Sequence, residues 1–138
     1  MKINARYVID FFIAFIAAFL FYKFLILALR TQTPIVSVAS SSMIPNLYPG
    51  DLVIAIEPKD LKVGNIIIYQ ADCYAFPKKG VDIIHRIIKF ENGKVVTKGD
   101  NNSIQDPCPV EKSQIKGKVV FAVPLLGWPR LILSYLGF

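Results

Sequence analysis

Ser42 sits in the run Ser40-Ser41-Ser42-Met43-Ile44-Pro45, and His85 is the only histidine among 138 residues. A hydroxyl is a weak nucleophile until a base takes its proton. A serine in a proline-bounded loop and a histidine on a strand-like segment are the core parts of an acyl-transfer site. Such a site also needs a group that orients the base and donors for the oxyanion. Asp100, in Gly99-Asp100-Asn101-Asn102, and Asp106 are the candidates for orienting His85. Each residue also has a plainer reading. A serine-rich loop is usually just a loop, a lone histidine on a strand is more often structural, and Gly-Asp-Asn-Asn is ordinary turn chemistry.

Cys73 and Cys108 are the only cysteines. With one histidine they make a poor zinc site, which takes four ligands at motif spacing. No metal and no cofactor is expected. In an oxidising exterior the two could form a disulfide. Two inert, buried thiols are the alternative, because sequence does not give the separation that decides between them.

These residues must be positioned by an unusually apolar chain. It is 54% hydrophobic, with a mean hydropathy of +0.47, too apolar for an ordinary soluble domain. Val8–Leu29 reads VIDFFIAFIAAFLFYKFLILAL, roughly 33 Å as a helix against a bilayer core of about 30 Å. Asp10 lies near one end, and the long stem of Lys23 can snorkel towards the Arg30 end. A cleaved signal peptide would have a shorter apolar core and a small-residue cleavage site. The run instead ends in Leu-Ala-Leu-Arg, so a retained anchor over residues 1–30 is expected.

The net charge is +6, and Lys2, Arg6, Lys23 and Arg30 against Asp10 supply half of it, where lipid headgroups lie. Lys2 and Arg6 favour a cytoplasmic N-terminus while Arg30 weighs against it, so the remainder is expected to be extracytoplasmic. No basic stripe interleaved with aromatics is present, which argues against nucleic acid as a partner. The short span from Arg30 to Ser42 keeps the nucleophile within about 40 Å of the lipid surface.

Residues 31–123 read as a β-rich domain. Ile35–Val38, Asp51–Ile56, Ile66–Gln70, Ile83–Phe90, Lys94–Lys98 and Lys116–Val123 are strand-like runs separated by Gly/Pro turns. The expected fold is mainly β, a small, partly closed β-barrel or sandwich. Ala71–Asp82, with Cys73, Pro77 and Gly80, reads as a loop or insertion. Asn92-Gly93 between two strand runs is the strongest short-range hairpin signal. A two-residue loop there pairs Glu91 with Lys94, and continuing that register sets His85 opposite Asp100. The expectation is fragile to a bulge at Gly99, since a one-residue slip turns Asp100 to the other face.

Residues 124–138, PLLGWPRLILSYLGF, form an apolar tail whose Trp128, Arg130 and Tyr135 are of types that favour the membrane interface. Pro124 and Pro129 argue against a continuous span. A short interfacial helix beginning at Pro129 is expected.

Taken in order, the motifs resemble a known family. Ser-x-Ser-Met-x-Pro after an N-terminal anchor, His-Arg-Ile on a strand, and Lys-Gly-Asp-Asn-Asn with an aspartate six residues beyond its own look like type I signal peptidase. The match is to the archaeal and endoplasmic-reticulum branch and runs from the anchor to Gly117-Lys-Val-Val and the Pro-Leu-Leu-Gly-Trp tail. The bacterial branch uses a lysine as base; His85 stands at the matching position here. The resemblance implies a membrane-bound serine endopeptidase that removes signal peptides from exported preproteins, in the cell or endoplasmic-reticulum membrane. Its partners would be signal peptides, lipid and secretion machinery.

By the same resemblance Ser42 matches the nucleophile, His85 the general base, Asp106 the triad acid and Asp100 a second important acid. Ser40 matches a position whose hydroxyl helps the Ser42 backbone N–H bind the oxyanion in bacterial relatives. Two features depart from the pattern: Ser41 replaces the usual glycine, and the Cys73-bearing insertion has no counterpart role. Two other readings of the chain remain: a non-enzymatic membrane-anchored β-domain acting as a scaffold, and a family member that processes a narrow set of substrates.

Overall fold

A computed structural model describes residues 4–73 and 80–136. The centre of the Ala71–Asp82 insertion, residues 74–79, therefore lies outside the described residues, as do Lys2 and residues 137–138.

The chain opens with a 25-residue helix, α1 (Ala5–Leu29), capped by the Asn4 side chain, which accepts from the Arg6 N–H. It is long and apolar enough to cross a membrane, and none of its most apolar stretch is buried against the protein. It stops at Arg30, which takes a left-handed conformation with φ 50°. The Leu29 carbonyl, orphaned at the helix end, accepts from the Glu57 N–H at 2.8 Å. The Thr31 hydroxyl then donates to the Lys116 carbonyl at 2.6 Å, which ties the helix exit to the sheet.

Six strands follow: β1 (Ile35–Ser37), β2 (Leu52–Ile56), β3 (Ile66–Gln70), β4 (Asp82–Glu91), β5 (Lys94–Lys98) and β6 (Ile115–Val123). All pair antiparallel, in the order β1-β2-β6-β3-β4-β5. The fold is thus mainly β, as expected, and the sheet is open, with β1 and β5 at its edges. β3 lies inside the sheet, and Ile67, Ile68 and Tyr69 in its unbroken apolar run are all buried. One side packs Ile67, Tyr69, Ile87, Val95, Val110 and Ile115. The other packs Ile68 with Val38, Met43, Leu47, Val53 and Ala55.

Asn92 and Gly93 both have positive φ, 50° and 75°, the pairing that a tight hairpin turn needs. Glu91 pairs with Lys94 as expected, but the register of β4 and β5 shifts between Ile87 and Lys89. The bulge falls at Ile88, not Gly99. Arg86 is opposite Lys98, and the expectation that His85 faces Asp100 across the hairpin is corrected.

A short helix, α2 (Trp128–Tyr135), closes the described chain and begins one residue before Pro129. Its base is locked to the turn after the Ser42 loop. The Gly127 N–H donates to the Gly50 carbonyl at 2.8 Å. The Trp128 indole covers Gly50, where a Cβ would lie 2.7 Å from Cδ1, and Gly50 also has φ +94°. Leu125, Leu126, Ile132, Leu133, Tyr135 and Leu136 are exposed. The Arg130 side chain is outside the described residues.

Candidate active site

The Ser42 loop is held by its own sequence. Ser41–Met43 forms one 3-10 turn after Ser40. Met43, 1% exposed, plugs into the core beside Leu47, so the side chain after Ser42 fixes the turn while the Ser42 hydroxyl stays outside. Positive φ among the described non-glycine residues occurs only at Arg30, Asp60, Asn92 and Leu125. Ser41 is not among them, so the family's glycine is not needed for backbone freedom here.

A second loop clasps the first. Asn101 N–H donates to the Ser42 carbonyl at 2.8 Å, and the Asn101 side-chain amide donates to the Ser41 carbonyl at 3.3 Å. Gly99 allows this approach, because a Cβ there would stand 2.7 Å from the Ser42 oxygen.

His85 lies on β4 opposite Ile67 and is buried, with 6% of its surface exposed. Its Nε2 is 3.1 Å from Ser42 Oγ, and its Nδ1 is 2.7 Å from Asp106 Oδ2. The same carboxylate oxygen accepts from Thr97 Oγ1 at 2.6 Å and from the Tyr69 hydroxyl at 2.9 Å. Burial opposes the charged form of Asp106. The hydrogen bonds from His85, Thr97 and Tyr69 outweigh it, and the carboxyl stays below its ordinary pKa. Tyr69 moves the other way: burial, with the Asp106 charge close by, raises its phenol well above its usual value, so the hydroxyl remains a neutral donor.

Asp100 stands apart from the imidazole. It pairs with Arg86 through Nε–Oδ1 at 2.8 Å and Nη2–Oδ2 at 2.7 Å, and it accepts from the Asn46 amide at 2.8 Å. Arg86, above all, holds its carboxyl below the ordinary range against partial burial, with help from Asn46. The pairing raises the Arg86 guanidinium in return. Asp100 therefore joins the strand that carries His85 to the loop that carries Ser42. Ser40 places its hydroxyl 3.0 Å from Ser42 Oγ.

Sequence reasoning named Ser42, His85, Asp106, Asp100 and Ser40 but missed Tyr69, Thr97, Arg86, Asn46 and Asn101. The missed signal for Tyr69 and Thr97 is a polar group inside a buried strand run. Cross-strand partners share a face. Thr97 is paired with Ile87 and Tyr69 with Ile83, and each partner is two residues from His85. Cys73 and Cys108 form a disulfide with Cα atoms 6.6 Å apart, just beyond Asp106. The described residues contain no cluster of side chains suited to a metal ion.

A groove of about 340 Å³ runs past Ser42 and His85, lined by Val36, Ala39, Ser40, Val81 and Ile83 among others. Among the described residues, β4 from Asp82 to His85 pairs only with β3, because pairing to β5 begins at Arg86. Among the same residues, β1 pairs only with β2. The groove thus lies between two free strand edges.

A hydroxyl, an imidazole and a buried carboxylate in series, beside a groove with free strand edges, are the arrangement that serine endopeptidases use. No family model matches the chain. It is similar to the signal peptidase complex catalytic subunit sec11 of Sclerotinia sclerotiorum, 33% identical over 94% of this chain and 81% of the relative. It is also similar to the signal peptidase complex catalytic subunits SEC11 of Eremothecium gossypii, 31% identical over 89% and 79%, and of Pyricularia oryzae, 33% identical over 94% and 81%. The chain belongs to the signal peptidase family, in the group of these catalytic subunits.

Proposed function

We propose that the chain is a membrane-anchored serine endopeptidase that removes N-terminal signal peptides from exported preproteins. The observation that carries this reading is the series Ser42 Oγ, His85 Nε2, His85 Nδ1, Asp106 Oδ2, with contacts of 3.1 Å and 2.7 Å. Both distances are of the length that proton transfer and imidazole orientation require.

In this mechanism Asp106 fixes the tautomer with the proton on Nδ1, leaving Nε2 free to accept the Ser42 proton. The Ser42 oxygen attacks the scissile carbonyl, forming a C–O bond and an oxyanion. Ser42 lies in the first turn of a 3-10 segment, where N–H groups lack a partner within the segment. Its N–H and the Ser40 hydroxyl are assigned to that oxyanion. Collapse breaks the C–N bond, and the imidazolium gives its proton to the departing amine, which is the new N-terminus of the mature protein. Water then enters and gives a proton to Nε2 as its oxygen attacks the acyl carbon; the C–O bond to Ser42 breaks, Nε2 returns the proton to Ser42 Oγ, and the signal peptide leaves with a free carboxyl group that ionises in water. Asp100 supports the site through Arg86 and Asn46.

The groove's two free edges suit an extended peptide that completes the sheet with main-chain hydrogen bonds. The α1 helix is taken as a membrane span with its N-terminus cytoplasmic and the β-domain outside, in the cell or endoplasmic-reticulum membrane. The exposed apolar α2 is taken to lie in the interface, which puts the groove at the lipid surface where a signal peptide's cleavage site emerges. The named relatives are subunits of a signal peptidase complex, and partner subunits are proposed here by the same likeness.

The test is a preprotein cleavage assay on the chain reconstituted in lipid, with the product's new N-terminus read by mass spectrometry. Cleavage after the signal peptide is expected. A chain that leaves every preprotein intact while binding partner subunits would favour the scaffold reading, and cleavage of one substrate alone would favour narrow processing.

A further inference from the structure

Oδ2 of Asp106 is crowded by donors from three neighbouring strands. His85 comes from β4, Tyr69 from β3 and Thr97 from β5, at 2.7, 2.9 and 2.6 Å. Tyr69 is 1% exposed and Thr97 is fully buried, so no water competes for either hydroxyl. The Asp106 N–H also donates to the Thr97 carbonyl at 2.8 Å, so Thr97 holds both the backbone and the side chain of that residue. Thr97 Oγ1 lies 3.4 Å from the Tyr69 hydroxyl, which makes the pair one unit.

With the His85 proton on Nδ1, Oδ2 accepts all three donors and carries no proton of its own, in keeping with the lowered pKa of Asp106. The two hydroxyls therefore fix where the negative charge sits, which is against His85 Nδ1. They also share that charge with His85 Nδ1.

We propose that Tyr69 and Thr97 are positioning residues that act through Asp106, setting the orientation of His85 and how much of the Asp106 charge it faces. This rests on the triad reading of Ser42, His85 and Asp106 and adds two residues to it. Neither touches the reacting atoms. Losing a hydroxyl leaves more negative charge facing Nδ1, and the imidazolium gains. The acid limb of kcat/KM, which reports the free enzyme's base, then moves to higher pH. Among the described residues, the other charged groups near the imidazole are already committed. Asp100 is paired with Arg86, Asp82 at the groove wall with Lys116, and the Lys98 ammonium donates to the Asn102 carbonyl.

The test uses the full chain in lipid, with Tyr69→Phe, Thr97→Val and Thr97→Ser measured for kcat, KM, the pH profile of kcat/KM and the melting temperature. Tyr69→Phe and Thr97→Val should each lower kcat about 10- to 100-fold, the scale of one charge-assisted hydrogen bond. KM should stay nearly unchanged and the acid limb should rise, and Thr97→Ser should restore both. A purely structural role would lower the melting temperature and leave kcat and the acid limb where they were, which overturns the proposal. Ser42→Ala and Asp106→Asn run in parallel. If those two cleave like wild type, the triad reading itself falls. If they are inactive while Tyr69→Phe and Thr97→Val behave as wild type, only the positioning role falls. Tyr69→Phe keeps the buried ring and decides the question should Thr97→Val fail to fold.

Discussion

Arg86 grips Asp100 through two parallel hydrogen bonds of 2.8 and 2.7 Å, one residue beyond His85 in the chain. The same carboxylate reaches Asn46, four residues past Ser42. Asp106 meets the imidazole directly. The two acids therefore predict different losses. Asp106→Ala should cut kcat roughly 10³–10⁴-fold, the scale of losing the orienting carboxylate in such a triad. Asp100→Ala should cost stability first, about 1–3 kcal/mol from the unpaired guanidinium, with a smaller loss of kcat. Chemical denaturation and steady-state cleavage, measured on both variants, check the order.

Acid should unfold the protein through the same carboxylates. Asp100 and Asp106 both have folded-state pKa values below the ordinary carboxylate value, which is about 3.9 for an unfolded aspartate. Each therefore contributes stability that is fully present above about pH 4 and is lost as pH falls through the folded value. Asp100→Asn should lower stability at pH 7 and make little difference at the acid end, so its stability curve is flatter below pH 4. A variant curve parallel to wild type would contradict this.

Gly99 should not tolerate a side chain. An alanine Cβ would come within 2.7 Å of the Ser42 carbonyl oxygen and of the Asn102 amide nitrogen. Gly99→Ala should move the Ser42 turn away from His85 and lower kcat at least tenfold, since angstrom-scale displacements carry large rate costs. Steady-state kinetics at saturating substrate will read it.

Much of this was legible. The Asn92-Gly93 turn fixes the β4–β5 hairpin because both positions need positive φ, and the apolar run of β3 marks a strand buried on both faces. The preference for Asp106 over Asp100 as the orienting acid rests on motif likeness, not on pairing rules. Pairing alone pointed to Asp100, because a bulge at Ile88 lies within a run of apolar residues and leaves no mark in composition. Tyr69 and Thr97 carry a signal, a polar group in a buried apolar run, but their partners do not show: Tyr69 lies on β3, whose pairing with β4 no tight turn announces, and Thr97 lies beyond the register shift at Ile88. Which face a strand residue shares depends on register, and the register could not be carried past an unseen bulge. The Cys73–Cys108 bridge was open because it depends on a distance.

Trp128 is the only tryptophan and is about half exposed beside the apolar face of α2. If that face lies in the interface, its fluorescence should be quenched by nitroxide lipids in reconstituted vesicles. Ile132→Asp together with Leu133→Asp should weaken the quenching, because both side chains are exposed on α2. Unquenched emission in the vesicles would remove α2 from the membrane.

The most direct measurement is kcat/KM for preprotein cleavage by wild type and Ser42→Ala in the same lipid, with folding of both checked by their melting curves. A fall of at least about 10³-fold in a folded Ser42→Ala protein is predicted. Cleavage within about tenfold of wild type would contradict the assignment of Ser42 as nucleophile and the mechanism built on it.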